Sequence, residues 1–423
     1  MRPELERSCV HVGLVSHGYP DKGAAGGIGT ATRTLAHALA SIGHGVTVIA
    51  EDEDVGEGRF KDGPVSVVRY RPGRFFYRAA FRILSALPIR QPRKDRLRQL
   101  VYSLQRAAEI DALLRRLVRE EGIEVVEFPE WDFPAFFFVR RPPVPAVIKI
   151  HSPHFLIEDR LALPPYERNY AKMMCERAAL RRADLVVGVA SAVALRVARK
   201  YNIPGNRLAV VPHPFRLDGI AEKLPGREST GLVVQVGRIE LTKGADITAR
   251  AIPKILERVP RARFRFIGEP GYHQYSRRNF TDTIRSALEK AGVSDRVEFT
   301  GLVPHSEVPG LLAEADVLLL PSRFENYSIS LLEAMYVGTA IVATDVGGNA
   351  EVLDGGKAGV LVPPRDPVAL ADAAALLLTN HEKRERIRRH GWNLVRTRNN
   401  LERIAGRTAG IYGTLISMRR RRR

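Results

Sequence analysis

Short runs of apolar and β-branched residues alternate with longer stretches of helical periodicity along this chain, and the alternation begins twice. The first series opens with the strand "VHVGLV", a glycine-rich loop, a helix whose apolar Leu35, Leu39 and Ile42 recur at helical spacing, and the strand "VTVIA". Such a βαβ unit predicts a parallel sheet with helices on both faces. The second series opens at "GLVVQVG" and continues through "ARFRFIGE", "DVLLLPS" and "AIVATD".

The segment between the two series has no periodicity and collects proline, glycine and charged residues, which is typical of an interdomain linker. We therefore expect an α/β protein with two doubly wound domains, for which 423 residues are enough. The predicted bounds are 1–214, a linker at 215–230, and 231–395, with a helix at about 396–423 that packs back on the first domain. We expect the two domains to face each other across a cleft, where the carboxyl ends of parallel strands bind ligands.

Cysteine content and charge limit the function classes. Two cysteines, Cys9 and Cys175, are too few for a disulfide framework and lack zinc-site spacing, which favours a reducing compartment. The start of the chain resembles neither a secretory signal nor a membrane span, so we expect a cytoplasmic protein, with contact at the inner face of the membrane as an alternative. The net charge of +19 favours an anionic partner. Nucleic acid is not expected, because aromatic residues do not interleave with the basic ones.

Two cations follow the first strand of the second series. Arg238 and Lys243 lie in the loop "RIELTKGAD", at the carboxyl end of the predicted sheet. An arginine and a lysine so placed can neutralise a diphosphate. The alternative is a pair of solvated loop charges.

Two glutamates lie eight residues apart in "PSRFENYSISLLEAMYVG". A helix is predicted from near Ser328 to Tyr336, and its N-terminus would offer backbone N–H groups to phosphate oxygens. Glu325 lies in the entry loop, whereas Glu333 interrupts an apolar run and therefore needs a partner. Ribose hydroxyls would satisfy Glu333, and a core arginine is the alternative. The following turn "DVGGNAE" is either a tight turn or a ligand contact.

The first series carries a glycine segment and two histidines. Its glycines, which permit close backbone approach to a ligand, are Gly26, Gly27 and Gly29. Thr32 stands where the dinucleotide-binding pattern requires a third glycine, but an acid follows the next strand at Glu51 or Asp52, so an NAD-dependent oxidoreductase stays as an alternative. His151 ends the strand "AVIKI" and is a candidate to contact substrate, with His154 close by.

Four segments together resemble a known family: "GRIELTKGAD", "ENYSISLLEA", "GGIGTATRTLAHALASIGHGVTV" and "ADLVVGVASA". They are similar to the retaining glycosyltransferases of family 4, which have the two-Rossmann GT-B fold, and the E-x7-E pattern from Glu325 to Glu333 is the most specific element. The resemblance implies transfer of a sugar from a UDP- or GDP-linked donor, with retention, to a hydroxyl of a glycan, lipid or small molecule. It implies an N-terminal acceptor domain, donor binding by the C-terminal domain, and no required metal or other cofactor.

The resemblance also implies residue roles. Arg238 and Lys243 would contact the diphosphate, Glu325 the donor sugar and Glu333 the ribose. Backbone amides at the helix start would bind phosphate, and these belong to Ser328, Ile329, Ser330 and Leu331. Gly27 and its neighbours would approach the donor, and His151 would lie beside the transferred sugar.

Two departures concern the hinge and the donor loop. His213-Pro214 stands where the family often has Asn-Gly, and Tyr327-Ser328 replaces an aromatic-glycine pair. They leave donor specificity open. The acidic triplet Asp52–Asp54 resembles the metal-holding triplet of another class of sugar transferase, and we interpret it as a solvated loop.

A basic amphipathic segment, "GRFFYRAAFRILSAL", is a candidate for membrane contact. On a helix its arginines form one stripe beside a row of apolar side chains, which is the pattern of a helix lying on a membrane surface. The alternative is a helix packed on its own domain. The residues concerned are Arg74, Arg78, Arg82, Phe75, Tyr77, Phe81 and Leu84.

Overall fold

The computed structural model describes residues 9–20, 27–51, 56–73, 75–86, 88, 91–160, 168–217, 224, 226, 228–271 and 279–422. The chain divides into two compact units. The first unit comprises Met1–Pro214 together with Leu401–Arg423, and the second comprises Phe215–Asn400. Each unit is described by itself below.

Each unit contains one sheet. The strands of the first sheet are β1 (His11–His17), β2 (Gly45–Glu51), β3 (Gly58–Asp62), β4 (Val65–Tyr70), β5 (Val125–Pro129), β6 (Ala146–Ile150), β7 (Leu185–Gly188) and β8 (Leu208–Val210). Those of the second are β9 (Leu232–Val236), β10 (Arg263–Ile267), β11 (Val297–Gly301), β12 (Val317–Leu320), β13 (Ala340–Thr344) and β14 (Val360–Val362).

Helices precede, separate and follow the strands. They are α1 (Gly27–Ser41), α2 (Phe75–Ala86), α3 (Gln91–Glu121), α4 (His154–Arg160), α5 (Tyr170–Arg182), α6 (Ser191–Tyr201), α7 (Ala245–Arg258), α8 (Phe280–Lys290), α9 (Val308–Glu314), α10 (Ile329–Val337), α11 (Asn349–Val352), α12 (Pro367–Thr379), α13 (His381–Arg398) and α14 (Leu401–Arg420). Within the described residues, no helix is both long enough and apolar enough to cross a bilayer.

Both sheets reverse their winding beside their first strand. The first sheet has the order β3-β4-β2-β1-β5-β6-β7-β8, and the second has the order β11-β10-β9-β12-β13-β14. Their pairs are parallel except for the antiparallel hairpin of β3 and β4. The switch points therefore lie between β1 and β5 and between β9 and β12, which is where doubly wound sheets bind ligands. The predicted fold class, with two doubly wound α/β domains, is confirmed.

The strands are buried in the way expected of a parallel sheet that helices cover on both faces. β5, β6, β9 and β13 are buried along their whole length. Helices cover both faces of such sheets, so the strands are mostly apolar rather than alternating, with Glu127, Lys149 and Gln235 as buried polar exceptions.

The last helix, α14, belongs to the first unit. It starts at Leu401, whereas the sequence pattern placed a helix start at about 396, because α13 continues to Arg398. The hydroxyl of Tyr412 on α14 donates a 2.6 Å hydrogen bond to Oε2 of the buried Glu127 on β5. Oε1 of Glu127 also accepts a 2.8 Å hydrogen bond from the buried Lys149 on β6. A polar contact in the sheet interior thus fixes the position of α14.

Candidate functional site

The switch point of the second sheet brings Lys243 and Glu325 together. Lys243 lies in the loop after β9 and Glu325 in the loop after β12, and Nζ of Lys243 is 2.8 Å from Oε1 of Glu325. Gly244 permits this approach, since its φ is +70° and a Cβ there would lie 2.0 Å from the carbonyl oxygen of Pro321. The loop predicted to contact the diphosphate and the loop predicted to contact the donor sugar are therefore adjacent.

Glu325 is buried and held from several sides. The hydroxyl of Ser322 donates a 2.7 Å hydrogen bond to its Oε1. The N–H of Gly348 donates to its carbonyl oxygen at 3.2 Å. Gly347 has a φ of +56°, and a Cβ there would lie 1.6 Å from that same oxygen. The turn "DVGGNAE" therefore packs against the backbone of Glu325.

Arg238 is more exposed than Lys243. Its side chain is 60% exposed and one guanidinium nitrogen lies 3.3 Å from Glu240. A second arginine, Arg323, forms a bidentate pair with Asp246 at 2.8 Å for both bonds. Arg323 ties the loop after β12 to the start of α7, and no sequence pattern had indicated this role.

The predicted phosphate-binding helix is α10. Ser328 is its N-cap residue, and the Ser328 side chain makes no capping hydrogen bond. The first N–H groups of any helix lack intrahelical acceptors, and they lie at the positive end of the helix dipole. Here these groups belong to Ile329, Ser330 and Leu331. The helix start at this place is as predicted, and the role in binding phosphate remains a prediction.

Glu333 lies inside α10 and meets a histidine. Its side chain is 3% exposed, and its Oε1 lies 3.0 Å from Nε2 of His305, which is half exposed. The contact with the Glu333 carboxylate raises the pKa of His305. The arginine considered as an alternative partner for Glu333 is thus replaced by a histidine in this structure. An isolated histidine in a loop carries no sequence signal that would have identified it.

The switch point of the first sheet contains a cluster of charges, of which sequence patterns indicated only Glu51. Arg106 of α3 forms an ion pair with Glu51 and donates a 2.8 Å hydrogen bond to Nδ1 of His17. Nε2 of His17 lies 2.9 Å from the carbonyl oxygen of Trp131. Nδ1 of His17 also lies 3.3 Å from Oε2 of Glu51, so His17, Arg106 and Glu51 form one cluster.

Asp132 extends this cluster of charges. Its carboxylate lies 2.6 Å from Nζ of Lys172 and 3.1 Å from the Arg106 guanidinium. Burial alone would raise the pKa of Asp132, but these two cations outweigh it and lower the pKa. Asp132 and Phe133 also have φ values of +57° and +45°. Such backbone strain is found preferentially at functional sites.

His151 directly follows β6, as predicted. Its N–H donates a 2.6 Å hydrogen bond to Glu130, and the N–H of Ser152 donates to the other oxygen of the same carboxyl group. Its ring stacks on His213 with 5.5 Å between centroids. Burial lowers the pKa of His151 well below its ordinary value, with a further contribution from His213. His151 is therefore a neutral hydrogen-bonding group near neutral pH.

Glu130 and Glu176 hold the turn that contains both predicted histidines. Burial, together with the charge of Glu176, raises the pKa of Glu130 to about 8. Glu176 accepts a 3.2 Å hydrogen bond from the N–H of His154, and the His154 ring lies 4.3 Å from the Trp131 ring. His154 thus has structural contacts within the first unit.

The glycine segment was predicted as a loop, and this is wrong for the two glycines that the structure describes. Gly27 and Gly29 lie in the first turn of α1, because the helix begins at Gly27 and neither glycine needs a positive φ. Gly26 and the triplet Asp52–Asp54 lie outside the described residues. Within the described part of the chain, no group of three or more His, Cys, Asp or Glu side chains is placed to hold a metal ion.

Two family descriptions match the chain, one for each unit. Residues 26–214 match the family "Glycosyl transferase 4-like domain", and residues 219–393 match "Glycosyl transferases group 1". The GDP-mannose-dependent alpha-(1-6)-phosphatidylinositol monomannoside mannosyltransferase of Mycobacterium tuberculosis is 30% identical over 294 residues. That alignment covers 65% of this chain and 71% of the relative.

Two solved structures have a similar fold. The sucrose-phosphate synthase of Thermosynechococcus elongatus matches with a TM-score of 0.76 and 20% identity, covering 97% of this chain and 100% of that chain. HepE of Anabaena, solved in complex with UDP-glucose, matches with a TM-score of 0.65 and 15% identity, covering 96% and 99%. At these identities the two structures support the fold only.

The oxidoreductase alternative is not supported. Both matched families are glycosyltransferases. Moreover Glu51, one of the two acids considered for a dinucleotide ribose, is held by Arg106. The chain belongs to the GT-B glycosyltransferases of the family 4 type, which use nucleotide-sugar donors.

Proposed function

We propose that this protein is a retaining hexosyltransferase that moves a sugar from a UDP- or GDP-linked donor to an acceptor hydroxyl of a glycan, lipid or small molecule. The observation that carries the proposal is the contact of Lys243 with Glu325 beside the N-terminus of α10. This arrangement puts a cation, a buried carboxylate and a row of backbone N–H groups at one switch point, which matches the diphosphate and the hydroxyls of a sugar nucleotide.

Binding of the donor would replace the ion pair between Lys243 and Glu325 with one contact from each residue to the donor. The diphosphate competes with Glu325 for Lys243, and Glu325 is then available to accept hydrogen bonds from sugar hydroxyls. Arg238, whose side chain is mostly exposed, can turn toward the same phosphates. These positive groups stabilise the charge that develops on the diphosphate as the anomeric bond breaks.

Glu333 is the proposed contact of the ribose. It lies one turn into α10, is almost fully buried, and contacts His305. A carboxylate accepts hydrogen bonds only, so it suits the two hydroxyl donors of a ribose. In this proposal Glu325 and Glu333 contact the sugar and the nucleoside, which lie at the two ends of the diphosphate.

His151 is the proposed neighbour of the transferred sugar in the first unit. Its low pKa suits a neutral donor or acceptor of hydrogen bonds to a sugar hydroxyl. In the proposed front-face mechanism the acceptor oxygen bonds to the anomeric carbon, the bond from that carbon to the diphosphate breaks, and a diphosphate oxygen takes the acceptor proton. This route gives retention without a carboxylate nucleophile.

Both donor classes occur among the proteins to which this chain is similar. The Mycobacterium tuberculosis relative is named as GDP-mannose-dependent, and Anabaena HepE was solved with UDP-glucose. We therefore keep UDP and GDP as the two candidate nucleotides. No divalent metal or further cofactor is part of the proposal.

We also propose peripheral contact with an anionic membrane through α2. Phe81 and Ile83 are 44% and 64% exposed on this helix, and Arg78 and Arg82 are exposed as well. The Arg98 guanidinium covers one side of the Phe81 ring at 3.9 Å. Exposed apolar side chains beside arginines are the pattern of an interfacial helix.

Calorimetry with UDP and GDP, followed by NMR of the product anomer, tests the enzymatic proposal. We expect one nucleotide to bind, Lys243→Ala to weaken its binding about tenfold or more, as loss of a charged contact predicts, and the product to keep the donor's anomeric configuration. Lys290→Ala, at the exposed end of α8, is the matched control and should change nothing. Failure to bind either nucleotide, or an inverted product, would contradict the proposal.

A further inference from the structure

The chain passes from one unit to the other twice. The residues beside these two crossings are joined by a hydrogen bond. They lie between residues 214 and 215 and between residues 400 and 401. The N–H of Phe215 donates a 2.8 Å hydrogen bond to the carbonyl oxygen of Asn399. One short hydrogen bond in the second unit thus joins segments that are far apart in the sequence.

The Asn399 side chain connects these crossings to the donor loop. It is 1% exposed, and its Nδ2 donates a 3.0 Å hydrogen bond to the hydroxyl oxygen of Tyr327. Tyr327 is itself buried and lies between Glu325 and the N-cap residue Ser328. Any displacement of the loop that carries Glu325 therefore acts on Asn399 directly.

Helix α10, which follows the Glu325 loop, makes a second contact with the residues beside the crossings. Tyr336 on α10 packs its ring edge against the Phe215 ring, with 5.8 Å between centroids and 73° between planes. The Arg396 guanidinium lies 3.9 Å from the Tyr336 ring centroid and donates two 3.1 Å hydrogen bonds to the Tyr336 carbonyl oxygen. The segment from Glu325 to Tyr336 thus contacts residues beside the crossings at both of its ends, through Tyr327 and through Tyr336.

A buried amide bonded to a buried hydroxyl costs desolvation that a purely apolar contact would avoid. Such pairs fix one geometry, since any other arrangement leaves polar groups unsatisfied. This specificity is useful where two elements must move together.

We propose that Asn399 and Tyr327 are positioning residues that couple occupancy of the donor site to the two crossings between the units. This inference rests on the proposed function, because it requires that the Glu325 loop binds the nucleotide of a sugar donor. Coupling between two sites is reciprocal, so a nucleotide that orders the loop also stabilises the hydrogen bond between Phe215 and Asn399.

Hydrogen exchange of the whole protein, with and without saturating UDP or GDP, tests the coupling. We expect the nucleotide that binds to slow amide exchange at residues 215–217 and 397–400 by about fivefold or more, the lower end of typical coupling strengths. In Tyr327→Phe, which keeps the ring and removes only the hydroxyl, the effect at these residues should be lost. By the same reciprocity, this variant should bind the nucleotide more weakly by the factor of protection that it loses.

Tyr336→Phe is the matched control, since it keeps the ring contact with Phe215 and should retain the protection. Asn399→Ala should also lose the protection at these residues. If Asn399→Ala does not fold, the result with Tyr327→Phe decides whether the coupling exists. Equal protection in wild type and Tyr327→Phe would overturn the coupling while leaving the proposed function intact. The same holds if bound nucleotide gives no protection in the wild type. Absence of any nucleotide binding would instead overturn the proposed function, and the coupling with it.

Discussion

The side-chain nitrogen of Lys243 lies 2.8 Å from Oε1 of Glu325, so two groups proposed to bind different parts of one ligand hold each other in place. The contact joins the loops after β9 and β12 at the switch point of the second sheet. It keeps a buried carboxylate paired, and it preorganises a cation next to the N-terminus of α10.

Removal of the Glu325 carboxylate should separate transfer from nucleotide binding. We expect Glu325→Ala to lower kcat/KM by about 100-fold, since one or two charged hydrogen bonds of about 1.5–3 kcal/mol each are lost. Binding of UDP or GDP, measured by calorimetry, should be unchanged or tighter because Lys243 loses its competitor. Ser322→Ala keeps the carboxylate and should have the smaller effect. Equal losses of transfer and nucleotide binding in Glu325→Ala would contradict the assigned roles.

The contact between His305 and Glu333 predicts a displaced titration. The carboxylate raises the pKa of His305, so the stabilising contact is fully present below the ordinary histidine pKa of 6.5 and is lost as the pH rises through the higher folded value. Histidine NMR titration should show this elevation in the wild type and a lower His305 pKa in Glu333→Gln, where burial acts without the carboxylate. Glu307→Gln, an exposed change in the same segment, should leave the elevation intact. An unaltered His305 pKa in Glu333→Gln would exclude the contact.

Glu130 should make the stability of the first unit fall as the pH rises. Its pKa is about 8 in the folded protein against an ordinary 4.5, so between these values the folded state holds a proton that the unfolded state has released. The free energy of unfolding should decrease across that interval by up to about 1.4 kcal/mol per pH unit. Chemical denaturation at several pH values should show this slope in the wild type and in the exposed control Glu120→Gln. An identical slope in Glu130→Gln would refute the assignment.

The hydroxyl of Tyr412 should stabilise the first unit without affecting the donor site. Tyr412→Phe leaves Oε2 of Glu127 without its 2.6 Å donor, which should cost about 1–3 kcal/mol. Hydrogen exchange of the β5 and β6 amides reports this local loss. Tyr170→Phe, at an exposed position on α5, should have no effect. Nucleotide affinity should stay the same in both variants, and a change in Tyr412→Phe would mean that the effect is not local.

Charge reversal on α2 should abolish vesicle binding. We expect the wild type to sediment with vesicles that contain phosphatidylglycerol and to bind pure phosphatidylcholine vesicles less well. The double variant Arg78→Glu, Arg82→Glu should bind at least about tenfold more weakly, since each basic residue near an anionic surface contributes about 1 kcal/mol. Arg116→Glu, Arg119→Glu, on α3, is the charge-matched control. A similar loss in the control would indicate an effect of net charge alone.

Sequence patterns were sufficient for the architecture and for the positions of the main candidate residues. Apolar runs separated by helical periodicity indicate a doubly wound fold, because parallel strands buried on both faces are mostly apolar. Residues that directly follow such strands then collect at one edge of the sheet. This is why Lys243, Glu325 and His151 could be placed from the sequence, and why the helix after Ser328 starts where it was predicted.

Only the tertiary structure decided which side chains meet. Lys243 and Glu325 are 82 residues apart, Arg106 and His17 are 89 apart, and Tyr412 and Glu127 are 285 apart. No local pattern encodes such contacts, since they depend on how long side chains from different elements pack where the sheets end. Gly27 lies in a helix rather than in the predicted loop, because glycine permits a loop conformation but does not require one.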